Sequence, residues 1–135
     1  MAELHAVLDT APLVAIATGS EQSLGPAAKR LVKRAVRAGG VLGIPAVCLF
    51  EVAQLEERGR LRLRLPFEDW CSELEGSAGL RILPLDLGVV SEARALPTLR
   101  DPFDRLIAGT AVAHGVPLIS PDKRVATSGR LAVVW

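Results

Sequence analysis

A chain of 135 residues that is 50% hydrophobic can bury one sizeable core and is too short for two ordinary domains, so a single domain over 1–135 is expected. Sixteen Lys and Arg against fifteen Asp and Glu leave a formal charge of +1, which excludes a molecule drawn to nucleic acid by its overall field; any such affinity must be local. Cys48 and Cys71 are two cysteines without the spacing of a zinc site or the density of a disulfide scaffold, and core packing in a reducing cytoplasm is their expected use.

The opening MAELHAVLDTAPLVAIA has an apolar run, but Glu3, Asp9 and the lack of a basic leader argue against a signal peptide. Nothing approaches ~20 uninterrupted apolar residues, so no membrane partner is expected and the protein should be cytoplasmic. His5 to Leu8 reads as a first, central strand that delivers Asp9 to its carboxyl end. The following APLVAIATGS fits a short helix broken at Gly19, and Gly25-Pro26 starts an amphipathic helix to Arg37. Leu31, Val32, Ala35 and Val36 form its apolar stripe, while Lys29, Arg30, Lys33, Arg34 and Arg37 make a face best read as solvated.

Val41 to Ile44 predicts a second strand, and Pro45 opens a helix, AVCLFEVAQLEERG, whose apolar residues on several sides predict that it is largely buried. A carboxylate in such a helix, Glu51, needs a cation. The segment RGRLRLRLP alternates Arg60, Arg62 and Arg64 with Leu61, Leu63 and Leu65. With a period of two it is either a basic wall beside a phosphate track or an extended connector with its leucines inward. Pro66 to Gly76 should be helical with Trp70 and Leu74 inward, Gly79 to Leu85 a third strand, and Asp86 the N-cap of a helix through Ala95.

The stretch TLRDPFDRLIAGTAVAHGVPLISPD places acids at both ends of one helix-strand unit. Asp101 can cap the free amides and Pro102 suits the first helical position; Gly115 and Pro117 close the helix before a buried run, Pro117 to Ile119. Asp104 falls in the first helical turn, and Ser120 and Asp122 lie just past the strand, where open parallel sheets keep their chemistry. The sequel KRVATSG reads as a turn and Leu131 to Trp135 as a last strand. Strands alternating with helices predict a three-layer α/β/α sandwich on a short, mainly parallel central sheet.

Asp9, Glu51, Asp104 and Asp122 thus occupy a strand end, a buried helix, a first helical turn and a second strand end, positions that can converge. Carboxylates gathered in one cleft repel one another unless cations compensate, and an all-oxygen ligand set selects Mg²⁺ or Mn²⁺. Such ions activate water and stabilise a leaving oxygen in phosphodiester hydrolysis, so the acids point to a nuclease. Neither His5 nor His114 is placed as a general base, and the two tryptophans read as packing anchors.

On these segments the chain resembles the PIN-domain ribonucleases, and among them the VapC-type toxins of toxin-antitoxin pairs. VLDTAPLVA is similar to the family's opening strand and acid, PAVCLFEVAQLEERGRLRL to its glutamate helix, RDPFDRLIAGTAVAHGVPLIS to its third-acid helix and SPD to its final acid. The resemblance implies a PIN-like fold and assigns metal binding and catalysis to Asp9, Glu51, Asp104 and Asp122, with Thr10 and Ser120 as the accompanying hydroxyls. The spacing Asp-x-x-Ile-Ala favours Asp104 over Asp101 for the third acid, since capping explains Asp101 without metal. Leu99 stands where this branch often has histidine, and no aromatic follows the last acid. The resemblance also implies an RNA substrate, a VapB-like antitoxin and a homodimer. The alternative is a catalytically silent PIN-like module that binds RNA or protein.

Overall fold

The computed structural model describes residues 2–135. Five strands form one sheet in the order β3-β2-β1-β4-β5: β1 (Leu4–Leu8), β2 (Val41–Pro45), β3 (Leu80–Leu83), β4 (Leu118–Ile119) and β5 (Val133–Val134). Every pairing is parallel. The apolar runs account for the strands at the centre: Ala6, Val7 and Leu8 are fully buried, and all of β2 is buried, as befits parallel strands covered on both faces. The Asp9 amide donates to the Ile119 carbonyl at 3.0 Å, so the β1–β4 ladder runs to the first acid. Because the chain moves outward from β1 in both directions, the β1/β4 junction is the switch point beside which a doubly wound sheet opens a crevice.

Among the described residues seven α-helices connect these strands: α1 (Thr10–Ala17), α2 (Pro26–Arg37), α3 (Ala46–Glu57), α4 (Phe67–Gly76), α5 (Leu87–Arg94), α6 (Pro102–His114) and the single turn α7 (Lys123–Ala126). Helices α2 and α6 each pack on β1 and β2, while α6 also carries α3 and α5. Gly115, at φ 66°, ends α6 in the left-handed conformation that glycine adopts without a Cβ penalty. Asp86 caps α5 by accepting from the Val89 amide at 3.0 Å. Cys48 is fully buried in α3, where its thiol lies 3.6 Å from the Leu8 carbonyl and burial raises its pKa; it is a packing residue.

Three expectations need correction. Val36 does not join the buried stripe of α2: it is 71% exposed, and Ala28 takes the inward position beside Leu31, Val32 and Ala35. Helix α3 is less enclosed than its composition suggested, with Cys48 and Val52 alone fully buried and Phe50 58% exposed against the Phe103 ring, 6.2 Å away. The segment after Asp122 is a helical turn rather than an open one, since the Asp122 side chain accepts from the Arg124 amide at 2.9 Å and starts α7. The 60–65 segment forms no strand, but its exposure alternates as a period of two requires, with Leu61, Leu63 and Leu65 half-buried and Arg60, Arg62 and Arg64 exposed.

Candidate active site

Asp9 ends the central strand and caps α1, its Oδ1 accepting from the Thr10 amide at 2.7 Å. Its Oδ2 accepts from the Ser120 hydroxyl at 2.6 Å, across the β1/β4 junction. The same Ser120 oxygen accepts from the Asp122 amide at 3.0 Å, so one buried serine ties the first acid to the last. Thr10, also buried, turns its hydroxyl the other way and donates to Glu51 on α3. The two hydroxyls therefore orient two carboxylates.

Asp104 projects from the first turn of α6, which Asp101 caps by accepting from the Phe103 and Asp104 amides at 2.8 and 3.1 Å. Asp101 thus spends its carboxylate on the helix start. Asp9, Thr10, Glu51, Arg60, Asp104 and Asp122 share the walls of a cavity of about 510 Å³, the other walls being apolar. Arg60 is the one arginine of the alternating segment on that cavity; Arg64 pairs with Glu73 at 3.1 Å, and Arg62 is exposed elsewhere.

The electrostatics record the crowding. Burial raises the Asp104 carboxyl from 3.8 to about 6, and the neighbouring carboxylates of Asp101, Asp122 and Asp9 push in the same direction. Asp122 moves the opposite way, held below the usual range by hydrogen bonds from Arg124. The Arg124 guanidinium lies 2.9 Å from Asp122 and 3.6 Å from Asp104, while remaining 76% exposed. This cation was missed in the sequence, where KRVATSG is too short for a helical period to show which way Arg124 faces.

Among the described residues, no three acidic, histidine or cysteine side chains converge closely enough to hold an ion as they stand. Glu51 is turned to Thr10, Asp9 to Ser120, and Asp122 to Arg124. The donor set nevertheless fits a hard divalent cation: it is all oxygen, it opens on one cavity, and a guanidinium already bridges two of its acids as a positive charge would.

The PIN domain model matches residues 6–130. The chain belongs to the PIN-domain family. A relative of this PIN domain, Ribonuclease VapC22 of Mycobacterium tuberculosis, is 33% identical over 118 residues that cover 84% of this chain and 86% of the relative. Two solved structures share its fold. VapBC2 from Rickettsia felis, bound to a promoter DNA fragment, superposes with a TM-score of 0.67 at 14% identity, covering 96% of each chain. DNA-bound VapBC from Salmonella typhimurium gives 0.65 at 18% identity, covering 98% of this chain and 97% of the other.

Proposed function

We propose that this PIN domain, acting as one unit over residues 1–135, is the toxin ribonuclease of a VapBC-type toxin-antitoxin pair. It hydrolyses RNA phosphodiester bonds with Mg²⁺ or Mn²⁺ held by Asp9, Glu51, Asp104 and Asp122. The observation that carries the reading is the shared cavity: four acids from four separate chain segments line it, and one of them, Asp104, is pushed up to about 6 by burial and by other acids. Acids so placed favour a cation. The relationship to Ribonuclease VapC22 supplies the reaction class.

A divalent ion bound there supplies a water of lowered pKa as nucleophile and a positive charge for the leaving oxygen. The chain's own contribution is orientation. Ser120 fixes one oxygen of Asp9, and the Thr10 amide fixes the other, so the carboxylate cannot rotate away from the cavity. Thr10 steadies Glu51 through its hydroxyl. Asp101 acts on α6, fixing the turn that carries Asp104, and is a positioning residue. Arg60, on the rim, offers a charge to the RNA backbone.

The two structural neighbours are VapBC complexes, which supports a VapB-like antitoxin as partner. A segment of it would cover the acidic cavity. The likeness to the VapC-type toxins supports a homodimer, and Leu87 and Val90 leave exposed apolar surface on α5 for an interface. No helix among the described residues is long and apolar enough to cross a membrane, and the reading places the toxin in the cytoplasm with its RNA.

Incubation of the purified chain with pooled RNA tests the activity. Cleavage with Mg²⁺ or Mn²⁺ that stops with EDTA is expected, and binding without cleavage under every divalent condition would identify a silent module instead.

A further inference from the structure

A second cavity, of about 420 Å³, adjoins the acidic one and shares Asp104 with it. Its walls include Thr98, Arg100, Arg124 and Ser128. Arg100 is exposed and has no hydrogen-bonded or ion-paired side-chain partner among the described residues, so its donors are uncommitted. Ser128 has a buried hydroxyl that is likewise without a partner. Buried hydroxyls are ordinarily satisfied, so this one, on a residue that lines the cavity, lacks an acceptor that a ligand there would supply. Thr127 is no such donor, because its hydroxyl already donates to the Arg124 carbonyl at 3.0 Å.

We propose that this cavity is a subsite for a backbone phosphate of the RNA strand, flanking the phosphate that is cleaved. Arg100 and Arg124 provide its charge, and Ser128 provides a neutral donor. The inference rests on the ribonuclease reading.

The subsite is coupled to the acidic cavity through Arg124. As the chain stands, two arginines face two carboxylates, Asp101 and Asp104, and the cavity carries little net charge. Arg124 is committed to Asp122 at 2.9 Å. A divalent cation on Asp104 and Asp122 would neutralise both and repel the guanidinium, which at 76% exposure is free to swing. The cavity then turns electropositive next to the cleavage site. RNA is thus gripped there when the acids are loaded, and weakly when they are not.

The test uses Arg100→Gln, which removes an exposed, unpartnered charge and leaves the acids untouched. Binding of a short fluorescent RNA is read by anisotropy, in Ca²⁺ to support binding and in EDTA, across a range of salt. In Ca²⁺ the variant should bind about fivefold to tenfold more weakly, with a salt slope smaller by about 0.7, the loss of one phosphate contact on a single strand. In EDTA the variant and the parent should differ little. Mn²⁺ affinity by calorimetry should match the parent, and Arg30→Gln, an exposed charge on α2, should change neither binding nor slope. Ser128→Ala should weaken RNA binding in Ca²⁺ without changing the slope, because it removes no charge.

Parent-like RNA binding and slope in Arg100→Gln, with the parent cleaving RNA normally, would overturn the subsite and leave the ribonuclease reading intact. A parent that neither binds nor cleaves RNA would overturn both. Inorganic phosphate that binds at submillimolar concentration in the parent and not in Arg100→Gln, without weakening RNA binding, would make the cavity a free-anion site and also overturn the proposal.

Discussion

The Arg124 guanidinium donates to both oxygens of Asp122, from Nε to Oδ1 at 3.2 Å and from Nη2 to Oδ2 at 2.9 Å. Since the same Nη2 stands 3.6 Å from Asp104, a chain cation spans two of the four acids proposed to bind metal. Arg124 and a divalent ion should therefore compete. Arg124→Gln should bind Mn²⁺ more tightly than the parent in calorimetry, and its Asp104 should titrate higher in metal-free protein by NMR. An unchanged Mn²⁺ affinity would mean that the two cations do not share ligands.

Asp104 gives the fold a pH dependence of definite sign. Its folded carboxyl titrates near 6 against an ordinary 3.8, so the native state holds a proton that the unfolded chain releases. Stability from this group is present at low pH and lost as pH rises through that window, by about 1–2 kcal/mol once solvent screening is allowed for. Asp122, whose carboxyl is lowered by Arg124, contributes with the opposite sign and loses its share as pH falls. Asp104→Asn should therefore be more stable than the parent near neutral pH in EDTA, and the difference should shrink toward about pH 4. Urea denaturation at the two pH values measures it; a variant less stable at neutral pH would contradict the assignment.

Asp101 and Asp104 should separate cleanly by function. Asparagine caps helices nearly as well as aspartate, so Asp101→Asn keeps the amides of Phe103 and Asp104 satisfied. It should retain most RNA cleavage. Asp104→Asn removes a cavity carboxylate and should lose cleavage by two orders of magnitude or more, roughly the effect of deleting an electrostatic group at a reacting centre. The opposite ranking in a single-turnover assay would reverse the roles.

The contact between α5 and α6 leaves no room for one methyl group. A Cβ on Gly109 of α6 would lie 2.9 Å from the Val89 carbonyl oxygen and 3.0 Å from the Ala93 amide nitrogen, both backbone atoms of α5. Backbone cannot yield as a side chain does, so α5 must shift. Gly109→Ala should destabilise the fold by about 1–3 kcal/mol, although alanine is the better helix former. A melt equal to the parent's would show that α5 slides freely on α6.

The order of strands and helices, and the acids at their ends, were legible because apolar runs and caps are local signals. Asp101 was readable as a helix cap, and Asp9 and Asp122 as acids just past apolar runs; that these two also cap α1 and α7 shows only in the structure. Exposure was not legible from one helix at a time. Phe50, though it lies in a helix that packs on α1 and α6, stays at the surface with its ring tilted by 33° against that of Phe103. Arg60 and Arg64 have the same residue type and the same register, yet one reaches the acidic cavity and the other pairs with Glu73. Which neighbour each arginine finds depends on tertiary placement, and so does the bridge made by Arg124.

The acidic cavity should bind the divalent ion used in catalysis, and a thermal melt with Mn²⁺ checks this. An ion that binds the folded chain alone stabilises it by roughly 2.7 kcal/mol at about 100 times its dissociation constant, a rise on the order of ten degrees for a domain of this size. The parent should show that rise, whereas Asp9→Asn combined with Asp104→Asn should scarcely respond to Mn²⁺. A double variant that responds to Mn²⁺ as the parent does would contradict the account, because the ion would then be bound somewhere other than among these acids.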